Sequence, residues 1–124
     1  MKIDPQEFLA KYRNIHSSMI LVGNKDQSTG KTSPLLLGGG EACVWFSSLE
    51  LYSTFMKETK TERIFIDVPM HMSSWLTMLE AAKDLQSKGV KFMLVDLYSK
   101  HAEAAHSLHL ESFIEFLEQK STGE

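Results

Sequence analysis

RIFIDVPMHMSSWLTMLEAAKDLQSKGVKFMLVDL, residues 63–97, decides the fold. Arg63–Val68 is apolar and rich in strand formers, which predicts a strand. Pro69–Met72 reads as a short connection. Ser73 or Ser74 then stands where a helix needs a cap. Trp75, Met78, Leu79, Ala82 and Leu85 follow at helical spacing, so they predict the buried face of a long helix. Lys88-Gly89 ends it, as a basic residue and a glycine should. Val90–Leu97 is a second strand. A strand, a helix and a strand in this order predict parallel strands joined by a right-handed crossover.

Downstream, Ser99 is read as the start of another helix, with Ala102, Ala105, His106 and Leu108–His109 near its inner edge. Phe113–Phe116 reads as a last short strand or the beginning of a final helix, and 121–124 as a tail. Upstream, Asp4-Pro5-Gln6-Glu7 carries a cap, a first-turn proline and capping-box spacing. It predicts a helix over 5–14 within an N-terminal extension, residues 1–18. Met19–Val22 reads as a strand, 24–34 as a polar loop, and Leu35–Leu37 as a strand stopped by three glycines. Ala42–Phe46 is another apolar run. Ser47 and Glu50 have capping-box spacing and predict a helix to Glu58, followed by a turn over 59–62. The expectation is one α/β domain over 1–124, best defined over 63–116. Its mixed sheet would hold four to five strands in parallel β-α-β units, with helices packed on it.

With 43% apolar and 23% charged residues, the chain has enough apolar surface for a packed core. The net charge of −3 and the lack of a basic block argue against nucleic acid as a partner. No run approaches a membrane span, and the N-terminus lacks the apolar core of a signal peptide. The single cysteine, Cys43, excludes an internal disulfide and fits a reducing, cytoplasmic setting. Within ACVWF it reads as a small buried apolar residue.

LVGNKDQSTGKTSP, residues 21–34, imitates two nucleotide signatures and satisfies neither. The phosphate-binding pattern G-x-x-x-x-G-K-[ST] places its first glycine at Lys25, where a side chain blocks close approach of backbone to phosphate. Pro34 and the glycine triplet at 38–40 oppose the helix that should follow. The guanine-reading pattern N-K-x-D has its aspartate one place early, at Asp26. A solvated connection is the expectation.

His101, His106 and His109 fall on one predicted helix, at 101–109. A one-turn spacing of His106 and His109 suits a metal, but no carboxylate or cysteine completes the set. The histidines are therefore expected at exposed or edge positions. A small ligand-binding or metal-binding sensor or enzyme using this helix is the alternative reading of function. No cofactor and no metal are expected, and no nucleophile–base pair stands out.

The serine pair offers more. First-turn amides at a helix start are free and the dipole end is positive. A phosphate on Ser73 or Ser74 would be held there and would add nearly two negative charges. The surrounding Met70, His71, Met72 and Trp75 form an otherwise apolar surface suited to a partner. Ile64–Val68 with Asp67, Met72-Ser73-Ser74-Trp75, Lys88-Gly89, Lys91–Leu97, Ser99 and His109–Phe113 follow a familiar order. In that order residues 63–116 resemble a STAS domain, the sulfate-transporter and anti-sigma-factor-antagonist family. The resemblance implies a phosphoprotein of signal transduction and transcription regulation. Its partner would be an anti-sigma factor, a serine-kinase-like protein or another regulatory protein. By residue match to the family's D-S-S-G motif, Ser74 is the phosphoacceptor and Ser73 its neighbour. Here Met72 replaces the motif's aspartate and Trp75 its glycine, and the preceding loop is shorter. The expected function is a non-enzymatic interaction module that meets its partner near residues 69–76. A second copy of the chain is a further candidate partner.

Overall fold

The computed structural model describes residues 4–26, 28–58, 65–98 and 103–122. The elements in chain order are α1 (Pro5–Lys11), β1 (Met19–Asp26), β2 (Thr32–Pro34), β3 (Leu36–Leu37), β4 (Ala42–Phe46) and α2 (Leu49–Glu58). They continue as β5 (Phe65–Met72), α3 (Trp75–Ser87), β6 (Phe92–Tyr98), β7 (Glu103–His109) and α4 (Leu110–Thr122). The architecture is α/β with a mixed sheet, as expected, but the sheet has seven strands rather than four or five. The expected turn over 59–62, and Ser99 and His101, lie outside the described residues.

β1 is the centre of the antiparallel half. One of its edges pairs with β5 along its whole length, from Met19↔Met72 to Asp26↔Phe65. Its other edge pairs with β4 at Ile20 and Leu21, and with β2 from Gly23 to Lys25. β4 then pairs with β6 in parallel, and β6 with β7 antiparallel. β4, β5 and β6 thus run in one direction, since β5 and β4 are each antiparallel to β1. The β5–α3–β6 unit has the expected relative direction, but β1 and β4 lie between its two strands.

Three elements differ from the sequence reading for a tertiary reason, and α1 closes at Lys11 rather than at residue 14. Residues 69–72, expected as a connection, extend β5, because β1 offers partners for all of them. Pro69 has no N–H to donate, which a strand tolerates at a sheet edge. The expected loop 24–34 is largely a hairpin, because β1 runs on to Asp26 and β2 returns along it. The helix expected from Ser99 is instead strand β7 over its described residues, 103–109. Its ladder with β6 overrides the weak helical pattern of its alanines. Phe113–Phe116 belongs to α4, resolving that alternative toward helix.

Two layers cover the sheet. Met19, Leu21, Cys43, Trp45, Met93 and Val95 share a core with Phe8 of α1, with Met78 and Leu85 of α3, and with Phe113 and Phe116 of α4. Phe8 stacks on Phe116 at 4.3 Å, and Trp45 meets Phe113 edge-on at 5.7 Å. Truncating one such buried aromatic to alanine costs about 3–5 kcal/mol. On the other face Ile20, Val22, Val44, Phe46 and Leu97 pack with Tyr52 and Phe55 of α2. Strand alternation explains the division of β1 and β4.

β6 breaks that alternation. Met93 and Val95 face the α3–α4 layer, and Leu97 should do so too, yet it lies in the α2-side core. The intervening Asp96 takes a φ of 58°, in the left-handed region that side chains avoid. The local reversal shifts the pleat by one residue.

Candidate partner-binding end of the sheet

β4, β5 and β6 point their carboxyl ends at one end of the sheet, and the α1–β1 connection, residues 12–18, arrives there as well. Two strand-to-helix corners form at this end. Both are built from two consecutive serines.

At the first corner β4 ends at Phe46 and Ser47-Ser48 leads into α2. Asp96, 1% exposed, accepts from the Ser47 backbone N–H at 2.7 Å and from the Ser47 hydroxyl at 2.8 Å. It also accepts from the Asn14 side-chain amide at 2.5 Å. The carboxylate thus joins β6, the α2 start and the α1–β1 connection. His16 Nε2 lies 2.6 Å from the Ser47 carbonyl, while its Nδ1 accepts from the Ser18 N–H at 3.1 Å. With Nδ1 accepting, Nε2 is the ring's donor toward the Ser47 carbonyl. The capping residue is Ser48, not Ser47 as expected: its hydroxyl accepts the Leu51 N–H at 3.2 Å. Ser47 is drawn away by the buried acid. The sequence reading missed Asp96 and Asn14. An aspartate inside an apolar strand, VKFMLVDL, is the signal that marks the former.

At the second corner Ser74, one of the two serines expected there, is the N-cap of α3. It has extended backbone, and its hydroxyl accepts the Thr77 N–H at 3.1 Å. Its Oγ also lies 2.8 Å from Thr77 Oγ1. Ser73 is exposed, and its hydroxyl makes no hydrogen bond among the described residues. The first turn of α3 carries no acidic residue, whereas α1, α2 and α4 carry Glu7, Glu50 and Glu111 there. The positive end of the α3 dipole therefore has no carboxylate in its own first turn.

The four residues expected around the serines do not form one surface. Met70, Met72 and Trp75 are half-buried against the α3–α4-side core. Trp75 meets Phe116 edge-on at 5.3 Å, with Lys120 Nζ 5.5 Å from its ring centre. Met70 lies across Gly23, where an added Cβ would meet its methyl at 2.8 Å. His71, between the two methionines, is exposed and turned to the opposite face, beside Ile20 in the register. Apolar exposure lies one residue further on, at Leu76, which is 56% exposed. Leu49 and Leu51 at the start of α2 are 51% and 37% exposed. Among the described residues these three are the exposed large apolar side chains. All stand in the first turns of the helices that begin at this end.

The other candidates separate. His106 and His109 are three apart on a strand, so they point to opposite faces. His106 packs edge-on to Tyr12 and His109 tilts against Phe92, its register partner. Among the described residues no three metal-ligating side chains gather. Cys43 is buried, and burial pushes its thiol up to about 11. It accepts the Trp45 indole N–H at 3.2 Å and is not a thiolate at neutral pH. No described helix is long and apolar enough to cross a membrane. Comparison of the chain with protein-family models, with curated proteins and with solved structures returned no match.

Proposed function

We propose that this chain is a regulatory interaction module that meets a protein partner with the end of the sheet where β4 and β5 turn into α2 and α3. The exposure of Leu76 where α3 begins, and of Leu49 and Leu51 where α2 begins, carries the reading. All three stand in the first turns at the same end of the sheet, Leu76 on the α3 side and Leu49 and Leu51 on the α2 side. The reading keeps the partner class that the STAS resemblance implies, an anti-sigma factor or serine-kinase-like regulator. It shifts the contact from Met70 and His71 to Leu76 and its neighbours.

The switch belongs to the second corner. Ser73 is exposed and its hydroxyl has no partner among the described residues, while Ser74 caps α3. A phosphate on either serine sits at a helix start with no competing carboxylate, and it places nearly two negative charges beside Leu76. Charge of that size in an apolar contact opposes partner binding.

The test is a photo-crosslinking residue at position 76, with position 83 on the exposed side of α3 as control, in the native cell. A discrete adduct at 76 and not at 83, weakened by Ser73→Glu, supports the module and its switch. Equal yields at the two positions sink the partner surface. Phosphate mapping of protein from the same cells decides between Ser73 and Ser74.

A further inference from the structure

The start of α3 and the end of α4 are neighbours. α3 runs from the carboxyl end of β5 back to the amino end of β6, where the Val90 N–H donates to the Leu85 carbonyl at 3.1 Å. α4 begins at that same amino end, since the Leu110 N–H donates to the Lys91 carbonyl at 2.8 Å. It therefore runs antiparallel to α3 and brings its last turns to the second serine corner. Trp75, the first residue of α3, meets Phe116 of α4 edge-on at 5.3 Å. Lys120 follows Phe116 by about one helical turn, which carries it past Trp75 toward Ser74 and Ser73. Its Nζ lies 5.5 Å from the centre of the Trp75 ring.

This lysine is held differently from its neighbours. Lys88 pairs with Asp84 at 2.9 Å and Lys91 with Glu41 at 3.6 Å. Lys120 is half-buried and makes no ion pair with a described residue; its ammonium meets the Trp75 ring instead. The first turn of α3 has no carboxylate to claim it. A cation over an aromatic face is held weakly, whereas a hydrogen bond from an ammonium to a phosphate is charge-assisted at both ends. The lysine stem is flexible enough to change partners. An anion covalently fixed one or two residues before Trp75 therefore outcompetes the ring.

We propose that Lys120 is the intramolecular partner of a phosphate on Ser73, its ammonium leaving the Trp75 ring to donate to the phosphate oxygens; this contact rests on the phosphate switch proposed above for the corner. Ser73 is the acceptor because the Ser74 hydroxyl is engaged by the Thr77 N–H at 3.1 Å and lies 2.8 Å from the Thr77 hydroxyl. A serine kinase supplies the group: a bond forms between Ser73 Oγ and the γ-phosphorus of ATP, ADP leaves, and the hydroxyl proton goes to solvent. Two consequences follow from the pairing. The ammonium favours the dianion, so the phosphate keeps its second charge to lower pH. The Trp75 ring loses the cation on its face, directly beside the exposed Leu76, so the phosphate changes the apolar contact as well as adding charge.

The experiment installs phosphoserine at position 73 of the full chain during synthesis and follows its ³¹P signal through the second ionisation, ordinarily at about pH 6. The expected midpoint is lower in the parent than in Lys120→Met by about half a pH unit. Lys120→Arg should keep the low midpoint, and so should Lys88→Met, at the far end of α3. The Trp75 indole N–H signal should move on phosphorylation in the parent and move less in Lys120→Met. Lys120→Gln provides a second neutral variant should methionine disturb the end of α4. Equal midpoints in the parent and both neutral variants overturn the proposal. An equal rise in Lys88→Met marks a general effect of charge and overturns it as well. Because the phosphate is installed, these outcomes are separate from the partner surface, which equal crosslinking at positions 76 and 83 would sink by itself.

Discussion

Two corners of this molecule start from the same chemistry and end in different roles. Ser47-Ser48 joins β4 to α2, and Ser73-Ser74 joins β5 to α3. In each pair the second serine caps the helix, with hydroxyl-to-amide distances of 3.2 and 3.1 Å. The first serines diverge. Ser47 gives its amide and its hydroxyl to the buried Asp96, whereas Ser73 is exposed with no bond to a described residue. The difference comes from the neighbour. β4 lies beside β6, whose Asp96 reaches across to Ser47, and β5 pairs with β1 alone among the described strands. A serine pair is thus a structural junction where an acid closes it and an open position where none does.

The comparison is most sharply tested at Asp96. Asp96→Ala leaves the Ser47 N–H, the Ser47 hydroxyl and the Asn14 amide without their acceptor. It should lower stability by about 3 kcal/mol, read as a fall in the urea midpoint. Asp96→Gly loses the same bonds but relieves the positive φ. It should therefore be less damaging than alanine by about 1 kcal/mol. Equal losses for alanine and glycine would mean that the left-handed backbone carries no strain.

Smaller effects separate the serines themselves. Ser47→Ala removes one charge-assisted bond and should cost about 1.5 kcal/mol, most of which should vanish in an Asp96→Ala background. Additive losses in that cycle would detach Ser47 from the acid. Ser48→Ala and Ser74→Ala each remove a cap and should cost about 1 kcal/mol by thermal melting. A cost confined to one of them would show that the two helix starts are not equivalent. Ser73→Glu should raise stability by up to about 0.5 kcal/mol, since it puts negative charge at the bare α3 start. Ser73→Ala and Leu76→Asp should leave the melting temperature within the range of ordinary surface changes, about 0.5 kcal/mol. Leu76→Asp should nonetheless abolish the crosslink made from neighbouring surface positions. A large loss of stability from Leu76→Asp would make that leucine part of the core and not of a binding surface.

Where the chain's chemistry is local, the sequence was legible. The α3 helix, its cap at Ser73 or Ser74 and its Lys88-Gly89 stop all follow from adjacent residues, and Gly89 takes the φ of 93° that such a stop requires. The α2 cap was misplaced by one residue because Asp96, forty-nine positions away, competes for Ser47. The β5 extension through Pro69 was hidden because proline reads as an interruption, and only an unpaired sheet edge makes it tolerable.

The histidine segment failed for the opposite reason. Ala104, Ala105, His106 and His109 have little periodicity of their own, and pairing with β6 imposed a strand that scattered the two described histidines to opposite faces. By itself, then, the sequence determined the α/β class, most of the apolar positions that became core, and the serine-capped start of α3. Periodicity and capping act between residues a few positions apart, so they can be read along the chain. The tertiary structure alone decided which strands are neighbours. With that it decided which serine meets Asp96 and which faces solvent, that His71 parts from Met70 and Met72, and that Leu49, Leu51 and Leu76 stay exposed where α2 and α3 begin. Those outcomes depend on contacts between segments far apart in sequence, where no local preference carries the information.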